Sequence, residues 1–355
     1  MHMWQPLYKL GLASVLALTL VSACSRPGQH GAKPGGQAAG ATLAAVRSRG
    51  YIVCGASQGN VGFSAPDAQG YWHGMDVAVC RAVAAAVLGD KNKVRFIPLT
   101  GAQRLTALQT GQIDLLARTL TWTLARDANG VNFTIPNFYD YVGFMVRADR
   151  HATKPADLKD ASVCVQTGST TEVKLADVSR RAGLNLRPVI FDSTQATHQA
   201  FFSGRCDALI TDASALASLR ATQTANPADY VIFPADSEIE ALTPAVRHGD
   251  DHWFDIVKYS IAAMITGEFL GINQKNVDQM LKSNDPDVRR FLGVEPGNGK
   301  ALGLSEDFAY QIIKQVGNYG DVYDRNAGKN SPLKIPRGLN RLQRDGGLMI
   351  AIPFN

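Results

Sequence analysis

The sequence predicts an α/β fold built as two lobes around a cleft, and three observations carry that expectation. Short apolar strands alternate with helices between about residues 50 and 235, the pattern of α/β layers on largely parallel sheets. One motif occurs twice: Gly111-Gln-Ile-Asp114-Leu-Leu-Ala-Arg118-Thr119 echoes Gly204-Arg-Cys-Asp207-Ala-Leu-Ile-Thr211-Asp212, each following a helix and each running through a Gly turn and an Asp into a strand. The chain of 355 residues is also too long for one ordinary core.

In chain order, Lys9 precedes an apolar run, Leu10 to Ala23, too short to span a bilayer and right for the core of a signal peptide. Residues 1–23 read as that leader, ending in Val21-Ser22-Ala23-Cys24. This resembles a bacterial lipobox, in which Cys24 is lipidated; ordinary cleavage after Ala23 is the alternative. Residues 24–42 are rich in Gly, Pro and Gln and bury too little apolar surface to fold, so they read as a flexible tether.

Strands are expected at Tyr51–Gly55, Val94–Pro98, Ile113–Ala117, Val142–Val146, Ser162–Val165, Leu186–Phe191, Asp207–Thr211 and Tyr230–Phe233, all rich in Val, Ile, Leu and Phe. Helices are expected between them at Met75–Leu88, Gln103–Gln109, Thr171–Arg181, Thr194–Phe202 and Ala213–Arg220. The last third turns helical, at His252–Thr266, Asn276–Leu281, Asp287–Leu292 and Ser305–Gln315.

The extended segments Val142–Val146 and Leu242–His248 read as two crossings between the lobes. They divide the chain into a discontinuous lobe 1 (residues 43–143 plus 246–355) and lobe 2 (144–245), and paired crossings make a hinge. The four cysteines beyond Cys24 allow three pairings in an exported chain. One bridge within each lobe gives Cys54–Cys80 and Cys164–Cys206; four buried free thiols are the alternative.

Composition narrows the function. The 36 Lys and Arg are spread among 31 Asp and Glu without a dense basic block, which argues against nucleic acid as a partner. No Cys-x-x-Cys or His-rich spacing suggests a metal, and no Ser/His/Asp arrangement or Gly-rich phosphate loop suggests catalysis or a cofactor. In open α/β sheets ligands sit beyond the carboxyl ends of strands, which directs attention to Thr119 through Arg126 and to Asp212.

A free amino acid needs a guanidinium fork for its carboxylate and a carboxylate for its ammonium. Arg126 could supply the fork; from spacing alone it reads as a surface residue paired with Asp127. Ser169 and Glu172 form a capping-box pattern after Gly168, either a plain cap or an anion site at a helix start. Asp212 is either an N-cap or the ammonium partner. Phe63 and Trp122 are read as core.

Dispersed segments then match a family. Cys54-Gly-Ala-Ser-Gln-Gly59, Thr121-Trp-Thr, Cys164-Val-Gln-Thr-Gly-Ser-Thr-Thr-Glu172, Gly204-Arg-Cys-Asp207, Val246-Arg-His-Gly-Asp250, Gln315-Val-Gly-Asn-Tyr-Gly320 and Arg337-Gly-Leu-Asn340 occur in order over nearly the whole mature chain. They resemble the periplasmic substrate-binding proteins of bacterial polar and general L-amino-acid ABC transporters, in particular the longer general branch. The resemblance implies a type II two-lobe fold and a periplasmic, monomeric receptor. Such a receptor captures a free L-amino acid and hands it to an inner-membrane permease, without catalysis, cofactor or metal. A dehydratase-like enzyme on the same fold and an amino-acid sensor are the alternatives.

The resemblance makes Arg126 the carboxylate clamp, with Thr119, Thr121, Ser169 and Thr170 around the same carboxylate. It makes Asp212 the ammonium partner and puts Ser57 and Asn60 near the ligand side chain. Many relatives carry aromatics at the positions of Asn60 and Gly101, so a roomier side-chain pocket is expected here. The longer branch reads Arg-Asn-Thr-Thr-Trp-Thr where this chain has Arg118-Thr-Leu-Thr-Trp-Thr123.

Overall fold

The computed structural model of the protein describes residues 40–57 and 59–355; the leader, Cys24 and nearly all of the expected tether lie outside them. Helix α1 (Ala41–Arg49) begins within the stretch read as tether, because the Asp250 carboxylate accepts from the Gly40 and Thr42 N–H groups and anchors its first turn. Strand β1 (Ile52–Ala56) follows, then a small hairpin of β2 (Ala65–Pro66) and β3 (Trp72–His73), then α2 (Met75–Leu88). Next come β4 (Val94–Pro98), α3 (Arg104–Gln109), β5 (Leu115–Leu116), α4 (Leu124–Asp127) and β6 (Val131–Phe133). The middle of the chain is β7 (Phe138–Asp140), β8 (Val142–Arg147), β9 (Ser162–Gln166), α5 (Thr170–Ala182), β10 (Arg187–Phe191) and α6 (Thr194–Phe202). It continues through β11 (Ala208–Asp212), α7 (Ala213–Thr222), β12 (Tyr230–Pro234), β13 (Glu240–Leu242) and β14 (Ala245–Arg247). The remainder is helical: α8 (Asp251–Phe269), α9 (Val277–Met280), α10 (Pro286–Phe291), α11 (Asn298–Ala301), α12 (Phe308–Gln315) and α13 (Tyr319–Asn326).

Two five-stranded sheets organise these elements, in the orders β4-β1-β5-β14-β6 and β10-β9-β11-β8-β12. In each, the first three strands run parallel, the fourth (β14 or β8), which follows a crossing, runs antiparallel to them, and the fifth (β6 or β12) pairs antiparallel with the fourth and so runs with the first three. Each sheet has an apolar cluster on either face: Cys54 and Leu115 belong to one and Val53 and Leu116 to the other, as do Val163 and Cys164 in the second sheet. Alternate residues of a strand point to opposite faces, so short continuous apolar runs make three-layer lobes.

The repeated motif performs the same task in both lobes. Asp114 accepts from the Val53 N–H at 2.7 Å and Asp207 from the Ser162 N–H at 2.7 Å, each tying the incoming strand to its parallel neighbour. Each is also paired to an arginine, Arg49 and Arg150 respectively. Disulfides Cys54–Cys80 and Cys164–Cys206 lie one in each lobe.

The crossings differ from the expected segments. The chain passes between sheets through β7 and β13, which pair antiparallel with each other, Glu240 opposite Asp140 and Leu242 opposite Phe138. Val142–Val146 is instead an interior strand with every residue buried, flanked by β11 and β12. An apolar run on both faces needs cover on both sides, which a sheet interior gives and a crossing does not. Of Leu242–His248, only Leu242 belongs to a crossing, and Ala245–Arg247 joins the first sheet.

The C-terminal segment returns to this hinge. The Asn340 side chain accepts from the Tyr139 N–H at 2.7 Å and donates to the Tyr139 carbonyl at 2.9 Å, as a neighbouring strand would. Arg337, paired with both Glu268 oxygens, donates to the Asn340 carbonyl and fixes that contact.

Candidate functional site

Residues at the carboxyl ends of β5 and β11 share one small cavity, of about 60 Å³, with the start of α5. Ser57, Asn60, Thr119, Thr121, Ser169, Thr170 and Asp212 all line it. Arg126 stands behind the wall: its Nη1 donates to the Thr121 carbonyl at 2.7 Å, and its charge acts on Asp212 and Glu240. The expected Arg126–Asp127 pair does not form; Asp127 accepts from the Trp122 indole instead.

The loop after β5 is held in an unusual conformation. Thr119 has φ of 40°, a sparsely populated region for a β-branched residue, and such strain persists only where the surroundings enforce it. Asp76, in the first turn of α2, does so by accepting from the Thr119 N–H at 2.9 Å. Its other oxygen accepts from Asn137. Burial raises the Asp76 carboxyl to about 6, against the opposing pull of these bonds and of Arg118 and Arg104. On its far side the loop bonds to the hinge, Trp122 N–H to the Ala241 carbonyl and Thr243 N–H to the Leu120 carbonyl.

Across the cavity, Ser169 caps α5 by accepting from the Glu172 N–H. Glu172 reaches the Gly168 N–H rather than completing the box on Ser169. Asp212 begins α7 without any capping bond, so its carboxyl belongs to the cavity and not to the helix end. The lobes touch here. Thr121 Oγ1 and Thr170 Oγ1 are 3.3 Å apart, and Gly101 and Gly168 meet backbone to backbone, so that a Cβ on Gly101 would lie 2.9 Å from the Thr167 carbonyl oxygen.

Three charged groups were not singled out from the sequence. Arg104 and Arg118 line the cavity at 4 % and 6 % exposure. Arg118 Nε donates to the Leu99 carbonyl at 2.7 Å, and Arg104 Nη1 to the Arg118 carbonyl at 3.3 Å. Arg104 Nε has no partner among the described residues, an orphan donor in a protein interior. Burial lowers both guanidinium pKa values, Arg118 to about 10. Glu240 is the third: its carboxyl accepts from Thr121 Oγ1 at 3.3 Å, and its charge acts on Arg126 and Asp212. Signals for two of them exist. Arg104 precedes Ala107 and Leu108 on the buried face of α3, and the repeat aligns Arg118-Thr119 with Thr211-Asp212.

The small cavity opens, through Ser57, Arg118, Gln166, Thr194 and His198, into a larger one of about 580 Å³ lined also by Thr100, Ser193, Gln195, Gln199 and Gln223. His198 is buried at this neck, and burial lowers its pKa to about 4. Of the two aromatics read as core, Phe63 is fully buried against Phe138. Trp122 is 44 % exposed and stacks on Phe133, because its indole N–H turns outward to Asp127.

This arrangement, two sheeted lobes with guanidiniums and carboxyls gathered where they meet, has close counterparts. The chain is 48 % identical over 319 residues to the general L-amino acid-binding periplasmic protein AapJ of Rhizobium johnstonii, covering 89 % of this chain and 93 % of that one. It is 46 % identical to the glutamate/glutamine/aspartate/asparagine-binding protein BztA of Rhodobacter capsulatus, over 90 % and 95 %. Among solved structures, a periplasmic binding protein from Brucella ovis with glutathione bound superposes with a TM-score of 0.86 at 44 % identity, over 88 % and 99 %. No helix among the described residues is long and apolar enough to cross a membrane. Residues 52–279 match the bacterial extracellular solute-binding proteins, family 3, and the chain belongs to that family.

Proposed function

We propose that the protein is a periplasmic receptor that closes two lobes around a free L-amino acid and delivers it to an ABC-type permease. The observation that carries this reading is the convergence of Arg104, Arg118 and Asp212 in one small cavity between the lobes, with Arg126 and Glu240 bonded to Thr121 of its wall. A zwitterion requires both signs of charge side by side, and a cavity with little water strengthens each contact. Arg126 and the Thr119, Thr121, Ser169 and Thr170 groups take the carboxylate, and Asp212 takes the ammonium. The segments before β7 and from β14 onward move as one lobe and the segment from β8 through β12 as the other, by bending at β7 and β13. Cys24 carries the lipid anchor, the residues between it and α1 link the anchor to the receptor, and the receptor works as a monomer.

The larger cavity receives the ligand side chain beyond Ser57 and Asn60. Its described lining holds Arg118 and His198 but no carboxylate, so amide, hydroxyl or anionic side chains are favoured over cationic ones. Its volume leaves room for more than a common side chain. The ligands named for the relatives, acidic amino acids, their amides and glutathione, agree with that reading.

The test is calorimetric titration of the purified chain, unfolded and refolded to strip carried ligand, with the twenty L-amino acids and glutathione. Binding of glutamate, glutamine or their homologues, with lysine and arginine weakest, is expected. Asp212→Ala weakens binding by roughly a hundredfold, as truncating one side of a buried charged contact costs about 2–5 kcal/mol. Unchanged affinity in that variant would sink the site assignment.

A further inference from the structure

The hinge register brings three carboxyl groups together. Glu240 on β13 lies directly across from Asp140 on β7, and Asp212 ends β11 opposite Val142, just beyond Asp140. Like charges opposed across a strand pair repel. Asp140 is relieved by donors of its own, the Tyr141 N–H at 2.9 Å and the Ser214 N–H and hydroxyl.

Asp212 and Glu240 are arranged differently: both stand beside Thr121 and Thr170, whose hydroxyls are 3.3 Å apart, with Glu240 accepting from Thr121 Oγ1 and Asp212 lining the cavity next to both threonines, and the Glu240 charge acts on Asp212. Two carboxylates that share one buried site repel, and the repulsion is relieved when the pair holds a single proton. The surrounding cations do not substitute for it. Arg104, Arg118 and Arg126 reach Asp212 through Coulomb attraction alone, while the Arg118 Nε holds the Leu99 carbonyl. Lys174, the nearest ammonium on α5, is bonded to Asp236 and Glu238. The Thr121 hydroxyl bonds Glu240 at 3.3 Å, and Asp212 has no capping bond to draw its carboxyl away.

We propose that Asp212 and Glu240 share one proton in the unliganded protein and that the ligand's ammonium takes its place, so that capture of each amino acid releases a proton. This rests on the receptor reading above. The pair carries one negative charge before capture and two after; the ammonium supplies the compensating positive charge, and the proton leaves to solvent. An ammonium has three donors, enough for both carboxylates at once, which makes Glu240 a second ammonium ligand beside Asp212. Burial raises both carboxyl pKa values above the usual range, and repulsion from Glu240 and Asp140 carries Asp212 further, in keeping with a retained proton. Ligands lacking the ammonium would have to leave that proton in place.

Calorimetry on the full chain tests this, with whichever L-amino acid binds best in the panel above, near pH 7 in phosphate and in Tris. The apparent heats are expected to differ in proportion to the buffers' ionisation enthalpies, with a slope approaching one proton released per ligand. Glu240→Gln is expected to abolish the slope, because the amide donates its own N–H to Asp212, and to weaken binding about tenfold, the cost of one charged hydrogen bond. Equal heats in the two buffers overturn the proposal. If Glu240→Gln does not fold, the pH profile of the parent affinity between about pH 5 and 8 decides: a rise with pH that then levels off supports it, and a flat profile overturns it. A panel in which no amino acid binds overturns the receptor reading instead, so the two failures are distinct.

Discussion

Gly101 sits where lobe meets lobe, and its replacement by Ala separates closure from folding. A Cβ there would lie 2.9 Å from the Thr167 carbonyl oxygen and 3.6 Å from the Gln166 side chain, both on the opposite lobe. Its φ is outside the left-handed range, so Ala carries no backbone strain, and the unfolded chain loses some freedom, a stabilisation of about 0.4–1 kcal/mol. The overlap is therefore confined to the closed state. Backbone on the other side cannot rotate away as a side chain could, and overpacking of this kind costs about 1–3 kcal/mol. Ligand binding favours closure by its differential affinity for the closed form, so the whole cost appears in the dissociation constant, as a weakening of roughly tenfold to a hundredfold. Calorimetry with the best-binding amino acid gives that constant, and a thermal scan of the unliganded variant gives the fold stability. Parent affinity in Gly101→Ala would refute the argument. So would a drop of several degrees in the unliganded melting temperature, which would make the contact a permanent part of the fold.

Two further outcomes follow from the cysteines and from His198. Reducing either disulfide lowers unfolding stability by about 3.5–4 kcal/mol in the chain-entropy account, with Cys164–Cys206, of sequence separation 42, costing slightly more than Cys54–Cys80, of separation 26; urea unfolding of Cys→Ala pairs measures it. His198, whose pKa burial lowers to about 4, is protonated more readily unfolded than folded. Its contribution is thus present above the ordinary imidazole pKa of about 6.5 and lost as pH falls toward 4. Urea unfolding near pH 7 and near pH 4.5 is expected to show the parent losing about 2–3 kcal/mol more than His198→Gln over that interval.

Strands dense in apolar residues were the ones legible in the sequence. Ser162–Gln166, buried at Val163, Cys164 and Val165, and Val94–Pro98, an edge strand carried by Val94, Phe96 and Ile97 with Arg95 exposed, were both placed to within a residue. The strands that escaped notice were Val131–Phe133, Phe138–Asp140 and Glu240–Leu242, each three residues long and mixing polar with apolar groups. Their pairing is fixed by partners about a hundred residues away, a tertiary fact that no local period records. Helix α13 escaped for a related reason. It is polar and contains Gly320, and it is held by the Asn318–Asp321 capping box and by burial of Tyr319 and Tyr323 rather than by propensity.

For the site, the sequence carries chemical types but not convergence. Arg126 and Asp212 were singled out because each stands at a carboxyl end of a strand or just beyond it. What spacing could not decide was whether either was free, and the structure decides that through bonds: Asp212 does not cap its helix, and Arg126 turns inward to Thr121 rather than to Asp127. Glu240 left no local signal at all. It reaches the cavity wall because β13 pairs with β7 and brings its carboxyl to the Thr121 hydroxyl, so the residue that completes the acidic side of the cleft is contributed by the hinge itself. A cleft whose charged wall is part of its hinge cannot change angle without moving that charge. Ligand capture and lobe closure are then one event, and substitutions at Glu240 are expected to alter both together.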